Sequence, residues 1–385
     1  MLRKDFLLRC TQICALPALG GYDLIYRFPN NQHDEPLESE LVRIVPRIMK
    51  TSNIPGSSVA IIRNGKLSWC NGFGVKSRAS NDPVNDDTIF EIASVSKTVF
   101  AYAVMKLCEK EILSLDVPLV KYLPKPIMEA DPQFELITAR HILSHTSGLQ
   151  DWRTSSEPLK IHFRPGTDFM YSGEGYYYLQ SVVTQLTGKV NLDNCGNYEA
   201  GLKICATDIG DYLTSNVLIP NGMNSSGYVW TPQLGKNEAL AHDVNGKLIS
   251  KPHQTATDMA RYASAGGLLA SVKDYASFII SLFNPKEKDP FLLNKVSLKE
   301  MTTPQVKLRE NQKIDGANSW GLGWAIQERP NGNVILHSGG QAGFRSLTMA
   351  SLEKKTGFVI LTNSDNGGYL LYDPELMNAL NRLFA

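Results

Sequence analysis

Short apolar segments occur in three pairs, each pair joined by polar turn residues. One pair lies near the start of the chain and two lie near its end. Over residues 56–75, two apolar segments are joined by Asn64-Gly65, a pair typical of a two-residue hairpin turn. A second pair is joined by Asn331-Gly332, and a third pair, over 344–363, turns at residues 354–357. The pattern predicts hairpins built from both ends of the chain.

The middle of the chain, roughly residues 95–300, has instead the three-to-four-residue apolar spacing of helices. Segments 94–110 and 175–189 each place their apolar residues on one stripe. Near the C-terminus, Asp373 is a plausible N-cap with Pro374 in the first helical position. These positions predict helices.

Together these elements predict an α/β (α+β) fold with one antiparallel sheet formed by both chain ends, flanked by helices, and an inserted, mostly helical lobe. Residues 38–385 would form a single domain, with the sheet part at about 38–90 and 310–385 and the lobe at about 95–300. A cleft between sheet and lobe is the expected place for a site.

The hydrophobic content and the net charge of the chain argue against several classes of function. Hydrophobic residues are 43% of the chain and charged residues 20%, with a net charge of +1. This balance gives no electrostatic basis for binding nucleic acid or an anionic membrane surface, and no apolar run is long enough for a transmembrane span. No nucleic-acid partner and no transmembrane span are therefore expected, and the oligomeric state is left open.

Residues 1–37 have two interpretations. A basic start precedes a short apolar stretch, which favours an export signal and a linker, and hence a periplasmic or secreted protein. Arg9 interrupts the apolar stretch and no clear cleavage site follows, which favours an N-terminal helix or arm of a cytoplasmic protein.

The six cysteines match no metal-ligand spacing, so neither metal nor cofactor is expected. Cys195 and Cys205 lie ten residues apart in a polar, glycine-bearing stretch. A disulfide between them would fit an oxidising compartment, and the alternative is two unpaired thiols. Cys70 and Cys108 lie in apolar patterns and are expected in the core.

Two S-x-x-K segments are candidates for a serine that is activated by a lysine. One is Ser351 to Lys354, in a stretch that also holds Lys355-Thr356-Gly357 and Ser364-Asp365-Asn366. That match begins in a predicted strand and extends beyond its end. In a strand, residues i and i+3 point to opposite faces and lie roughly 10 Å apart, so the lysine would not reach the serine. We interpret the three motifs in this stretch as coincidence.

The other match, Ser94 to Lys97, opens the predicted helix 94–110. On a helix, residues i and i+3 share a face, so an amine can reach the hydroxyl. The free N–H groups at a helix start can also stabilise an oxyanion. A capping serine followed by an exposed lysine is the alternative interpretation.

Seven segments of the chain occur in a characteristic order: "FEIASVSKTVF", "LDVPLVKYLP", "ITARHILSHTSGL", "PGTDFMYSGEGYYYLQ", "ASAGGLLASVKDYASFI", "WGLGWAI" and "HSGGQAGFRS". Through these segments the chain resembles the class C β-lactamase-like serine hydrolases over about residues 40–370. This family includes D-Ala-D-Ala carboxypeptidases, D-amino-acid amidases and family VIII esterases, and its fold is β-lactamase/transpeptidase-like.

The resemblance implies three reactive side chains. Ser94 matches the nucleophile, Lys97 its partner base, and Tyr171 the tyrosine of the Y-x-N motif, which shares the proton transfers. A buried, neutral Lys97 amine would take the Ser94 proton. Tyr171 would otherwise be one more core aromatic in a tyrosine-rich stretch.

The third motif is implied at His337-Ser338-Gly339, in an H-x-G form, with Ser338 and Gly339 as substrate-binding residues. The backbone N–H groups of Ser94 and Gly340 would form the oxyanion hole. His337 would orient the substrate or steady charge in the cleft, and the alternative is a satisfied histidine at a strand end. His145 and Ser147, in "LSHTSGL", are expected to be scaffold residues.

Gly173 departs from the family pattern, because it replaces the asparagine that helps to hold a substrate's acylamino group. This weakens the expectation of β-lactam or peptide substrates and leaves the hydrolysis of a small-molecule ester, lactone or amide more open, with Gly173 itself as a substrate-binding position. Glu174, which follows, is expected to be a solvated carboxylate at a helix start.

The expected function is therefore a serine hydrolase that works through an acyl-enzyme on ester or amide bonds, with esterase-like activity favoured. A D-alanyl peptidase, an amidase or a β-lactamase is the alternative. A binding or sensor domain that is acylated without turnover is the alternative of another class.

Overall fold

The structure, a computed structural model, describes residues 35–123, 131–153, 157–187, 209–250 and 262–385. The strands are β1 Gly56–Arg63, β2 Lys66–Gly74, β3 Ile89–Glu91, β4 Leu269–Ser271, β5 Val306–Lys307, β6 Ser319–Trp320, β7 Ala325–Gln327, β8 Val334–Gln341, β9 Phe344–Ser351 and β10 Thr356–Thr362. The α-helices are α1 Leu37–Thr51, α2 Ser96–Glu109, α3 Ala139–Leu143, α4 Gly173–Leu186, α5 Pro232–Gly235, α6 Val272–Leu282, α7 Lys295–Met301, α8 Gly367–Leu371 and α9 Pro374–Asn381.

Eight of these strands form one antiparallel sheet in the order β2-β1-β10-β9-β8-β7-β6-β5. Strand β1, from the start of the chain, pairs with β10, from its end, so that Ser57 lies opposite Thr362. The sheet predicted from the hairpins is thus confirmed. A separate pair, β3 with β4, was not predicted because three-residue strands carry too little pattern.

Both faces of the sheet are buried, as the alternation along β1 illustrates. Val59 and Ile61 point into a core formed with α1, α8 and α9. Ala60 and Ile62 point into the opposite core, which contains α2 and α6. Because each face is fully covered, truncating Ile61 to alanine should cost about 2–5 kcal/mol of unfolding free energy.

Helix α6 shows where the helical middle meets the sheet. It lies within the range 95–300 expected to form the lobe, but it packs against β1, β2 and β10. Its buried residues Tyr275 and Ile279 belong to the same core as Leu361 of β10. Apolar spacing identifies the buried face of a helix but not its partner, so the sequence did not place this contact.

The predicted turns and caps have the expected geometry. Asn64 and Gly65 both have positive φ angles, 52° and 69°, as a two-residue hairpin of the primed type requires. The side chain of Asp373 accepts the N–H of Leu376 and caps α9, and Pro374 is its first residue. The last hairpin turns between Ser351 and Thr356, two residues earlier than predicted.

The expected Cys195–Cys205 pair and all but the last three residues of segment 1–37 lie outside the described residues. Within the described ranges, no helix has the length and apolarity needed to cross a membrane. Cys70 and Cys108 are unpaired and pack against the core, where burial raises the pKa of each thiol to about 12.

Candidate active site

Ser94 lies on a 3₁₀ turn, Ala93–Val95, immediately before α2, so the α-helix itself begins two residues later than the serine. Ala93 has a φ of 50°, in the left-handed region that a non-glycine residue rarely adopts. The hydroxyl of Ser96 donates to the Ala93 carbonyl at 2.6 Å, which holds this turn. Ser94 is partly exposed while its neighbours Ala93 and Val95 are buried, so the turn presents one hydroxyl.

Lys97 reaches that hydroxyl, as the i, i+3 spacing predicts. Its Nζ lies 3.1 Å from Oγ of Ser94 and donates to the Ala265 carbonyl at 2.7 Å. The residue is 1% exposed, and its Nζ lies 5.0 Å from the ring centre of Tyr171 and 5.5 Å from that of Tyr176. The amine is therefore held between the serine, a carbonyl and two aromatic faces.

The competing match has different geometry. Strand β9 ends at Ser351, whose Oγ accepts only the backbone N–H of Lys354 among the bonds described, at 3.3 Å. The Lys354 amine instead donates to the carbonyl of Ala385 at the C-terminus. This serine is a turn residue, as the strand argument predicts.

Tyr171 lies beside Lys97 and packs against a histidine that sequence reasoning assigned to the scaffold. The ring centroids of Tyr171 and His145 are 4.2 Å apart, and Nδ1 of His145 accepts the N–H of Ser172 at 3.1 Å. His145 is fully buried, and this burial, followed by the charge of Lys97, holds its pKa well below the usual value. The site thus includes a neutral imidazole that was not expected there.

His337 lies on β8, with its ring centroid 6.3 Å from that of Tyr171 and 5.6 Å from that of Trp320. Its Nδ1 lies 2.6 Å from the Ser338 carbonyl. Burial lowers the pKa of His337 to about 3, and the charge of Lys97 adds to this effect. The third motif therefore provides a second neutral imidazole.

Strand β8 brings this motif against the serine turn. A Cβ added to Gly339 would lie 2.5 Å from the carbonyl oxygen of Ile92 and 3.1 Å from the backbone N of Ser94, and the first of these distances is too short for any side chain. Strand β7 pairs with Val334–Leu336 of β8, whereas β9 pairs with 335–341. Among the described strands, His337–Gln341 therefore have a ladder on one side alone, and Gly340 lies on this stretch beside the serine turn.

Two residues that sequence reasoning missed lie behind the third motif. Asp315 accepts the hydroxyl of Tyr372 at 2.7 Å. Burial raises the pKa of Asp315, and the neighbouring Ser338 and Tyr372 side chains act in the opposite direction. The Ser338 side chain therefore lies near this pair.

Gly173 begins α4, and its surroundings explain why it has no side chain. A Cβ built on Gly173 would overlap the indole carbons Cε2 and Cζ2 of Trp152. The N–H of Gly173 donates to the Asp151 carboxyl group at 2.8 Å. The expectation of a solvated Glu174 is wrong: this residue is 1% exposed and pairs with Arg153, because the two are brought together inside the fold.

In the described part of the chain, no three His, Cys, Asp or Glu side chains are grouped as a metal ion would require. The site instead brings together Ser94 and Lys97 from one helical turn with Tyr171 and His337 from two other segments of the chain. This arrangement has the parts of a lysine-assisted nucleophilic serine.

Residues 41–382 match the family described as Beta-lactamase. Protein flp of Staphylococcus aureus strain N315 is 23% identical over 363 residues, covering 89% of this chain and 66% of that protein. This chain thus spans slightly less than two thirds of that relative.

Two solved structures have similar folds. An octameric penicillin-binding protein homologue from Pyrococcus abyssi has a TM-score of 0.69 and 26% identity, covering 90% of this chain and 76% of that one. A β-lactamase/D-alanine carboxypeptidase from Pseudomonas syringae has a TM-score of 0.70 and 19% identity, covering 90% and 98%. The fold is therefore that of β-lactamases and penicillin-binding-protein homologues. The chain belongs to the β-lactamase family.

Proposed function

We propose that this protein hydrolyses small carboxylic esters through an acyl-enzyme formed on Ser94. The observation that carries the proposal is the 3.1 Å contact between the Lys97 amine and the Ser94 hydroxyl. In its neutral form this amine takes the hydroxyl proton while Oγ attacks the ester carbonyl. The backbone N–H groups of Ser94 and Gly340 would stabilise the oxyanion that forms.

Collapse of that intermediate expels the alcohol and leaves the acyl group on Oγ. The departing alkoxide needs a proton, and Tyr171, beside the Lys97 amine, would pass it on. Water then attacks the acyl-enzyme, with the same groups taking its proton, and releases the carboxylic acid. Neutral His145 and His337 add no positive charge around Lys97, so they favour an amine that can accept the proton.

Gly173 and Trp152 support esters over acylamino substrates. No side chain at position 173 offers a donor or an acceptor, and the indole fills the space that such a side chain would need. A substrate amide that loses one hydrogen-bond partner on binding loses about 1–3 kcal/mol, or roughly tenfold to a hundredfold in specificity. A simple acyl ester has no such group.

Two alternatives remain as outcomes of the test. One is a D-alanyl peptidase, an amidase or a β-lactamase, and the name of the Pseudomonas syringae neighbour, a β-lactamase/D-alanine carboxypeptidase, favours the first and the last of these. A sensor domain would be acylated at Ser94 and would not turn over. Small molecules remain the proposed partners, without nucleic acid.

The test is a hydrolysis panel with p-nitrophenyl acetate and butyrate, a chromogenic cephalosporin and a D-alanyl-D-alanine peptide. We expect many turnovers of the esters per protein, with kcat/KM at least tenfold above that for the lactam and the peptide. One stoichiometric burst without further turnover would support the sensor alternative. Efficient cephalosporin or peptide hydrolysis would contradict the ester preference.

A further inference from the structure

Trp152 lies between two segments that contact the Lys97 amine. On one side its indole covers Gly173, two residues after Tyr171. On the other side it meets the ring of Tyr262 edge to face, with centroids 6.0 Å apart. Three residues beyond Tyr262, the Ala265 carbonyl accepts the Lys97 amine.

The indole is part of an aromatic wall, which we define as Trp152, Tyr262 and Tyr177. The rings of Tyr262 and Tyr177 stack at 5.9 Å, and Tyr177 is buried in α4. Trp152 is only half-buried, so part of its surface stays accessible beside the site. Buried Tyr177 therefore anchors the wall in α4, and half-buried Trp152 forms its other end.

Three backbone N–H groups around Trp152 already have partners within the protein. The N–H of Gly173 and the N–H of Glu174 both donate to Asp151, each at 2.8 Å, the first to its carboxyl group and the second to its carbonyl. The N–H of Arg153 donates to the Glu174 carboxylate at 3.2 Å. These three backbone donors cannot replace the amide that position 173 lacks.

We propose that Trp152 is the specificity-determining residue of the acyl side of this site. It presents an apolar face where an acylamino group would need a polar partner. The site therefore takes esters of aliphatic acids and discriminates against acyl groups that carry an amide. This inference rests on the proposed ester hydrolysis and names its acyl class.

The test compares two activated esters with five-atom acyl chains, p-nitrophenyl pentanoate and the p-nitrophenyl ester of N-acetylglycine. We expect the wild type to prefer the pentanoate by roughly tenfold or more in kcat/KM. Trp152→Ala should lower this ratio by about tenfold, because it removes the apolar face and opens space for the amide. Adding Gly173→Asn to Trp152→Ala should lower it further, since the indole no longer blocks an asparagine.

Two controls separate specificity from stability. Trp152→Phe keeps an aromatic face and should leave the ratio within about twofold of wild type. Trp69→Ala removes a half-buried indole that packs in the core on the other face of the sheet, and it should not change the ratio. If Trp152→Ala does not fold, Trp152→Leu takes its place, with a ratio expected below that of Trp152→Phe.

A folded Trp152→Ala or Trp152→Leu variant with the wild-type ratio would overturn the inference. A wild type that hydrolyses both esters equally would do the same. A wild type that hydrolyses neither ester would instead overturn the proposed function, which separates the two failures.

Discussion

The imidazole of His145 packs against the phenol ring of Tyr171, with centroids 4.2 Å apart and ring planes 31° apart. The same imidazole accepts the N–H of Ser172, the next residue along the chain. It therefore fixes both the ring and the backbone of the segment that carries Tyr171. This makes His145 a positioning residue for the proposed proton transfer.

We expect His145→Ala to lower kcat for ester hydrolysis by about ten- to a hundredfold with little change in KM, because a misplaced Tyr171 slows proton transfer without removing substrate contacts. His145→Asn should recover part of the loss, since its carboxamide oxygen can still accept the Ser172 N–H. Steady-state kinetics would show this. His162→Ala is the matched control at an exposed histidine. A loss confined to KM, or no rescue by asparagine, would contradict the positioning role.

The two serines of the competing motifs should behave differently. Ser94→Ala should abolish turnover and covalent labelling by a fluorophosphonate, because it removes the attacking oxygen. Ser351→Ala should change neither, since Ser351 is a turn residue of the last hairpin. Peptide mapping of the labelled protein checks the assignment, and label found in residues 351–366 would reverse it.

Lys97→Ala should lower the acylation rate by several orders of magnitude, as removal of the base from a nucleophile pair does. Lys354→Ala is its counterpart in the competing motif and should leave the rate unchanged, because that amine contacts the C-terminus. Stopped-flow measurement of the ester burst would separate acylation from later steps. A near-normal burst rate in Lys97→Ala would exclude the base role.

The stability of the protein should depend on pH through its buried histidines. The pKa of His337 is about 3 in the folded protein, against about 6.5 in the unfolded chain. Between these values the unfolded chain binds a proton that the folded protein does not, so the unfolding free energy should fall as pH decreases from about 6.5 towards 3 and stay level above 6.5. His145 adds to this slope, because its pKa is also lowered.

Replacing one of these histidines should reduce that slope. We expect His337→Gln to make the decline between pH 6 and 4 shallower by up to about 1.4 kcal/mol per pH unit. Urea denaturation at several pH values measures this, with His162→Gln as the exposed control. An unchanged slope in His337→Gln would mean that His337 is protonated in the folded protein.

We propose that the chain is exported, and the cysteines of its polar central stretch test this. Cys195 and Cys205 should then be bridged in protein purified from its native host without reductant. Intact mass before and after thiol alkylation reports the bridge. Two freely alkylated thiols in this peptide would favour the cytoplasmic alternative.

Local pattern predicted the elements that depend on neighbouring residues. The Ser94–Lys97 contact follows from one helical turn, and the hairpins follow from alternation and turn residues. Contacts between distant segments were not predictable in this way. Trp152 meets Gly173, and Glu174 is buried with Arg153, only because the fold brings separate loops together.

The pairing of β1 with β10 has a consequence for how the chain folds. The two strands meet through residues about 300 positions apart, such as Ser57 and Thr362. A ribosome must therefore synthesise nearly the whole chain before β1 can find its partner, and until then one edge of the β1–β2 hairpin stays open. Such long-range closure slows folding. We expect assembly of this sheet to follow synthesis, and a chain that ends before β10 to aggregate.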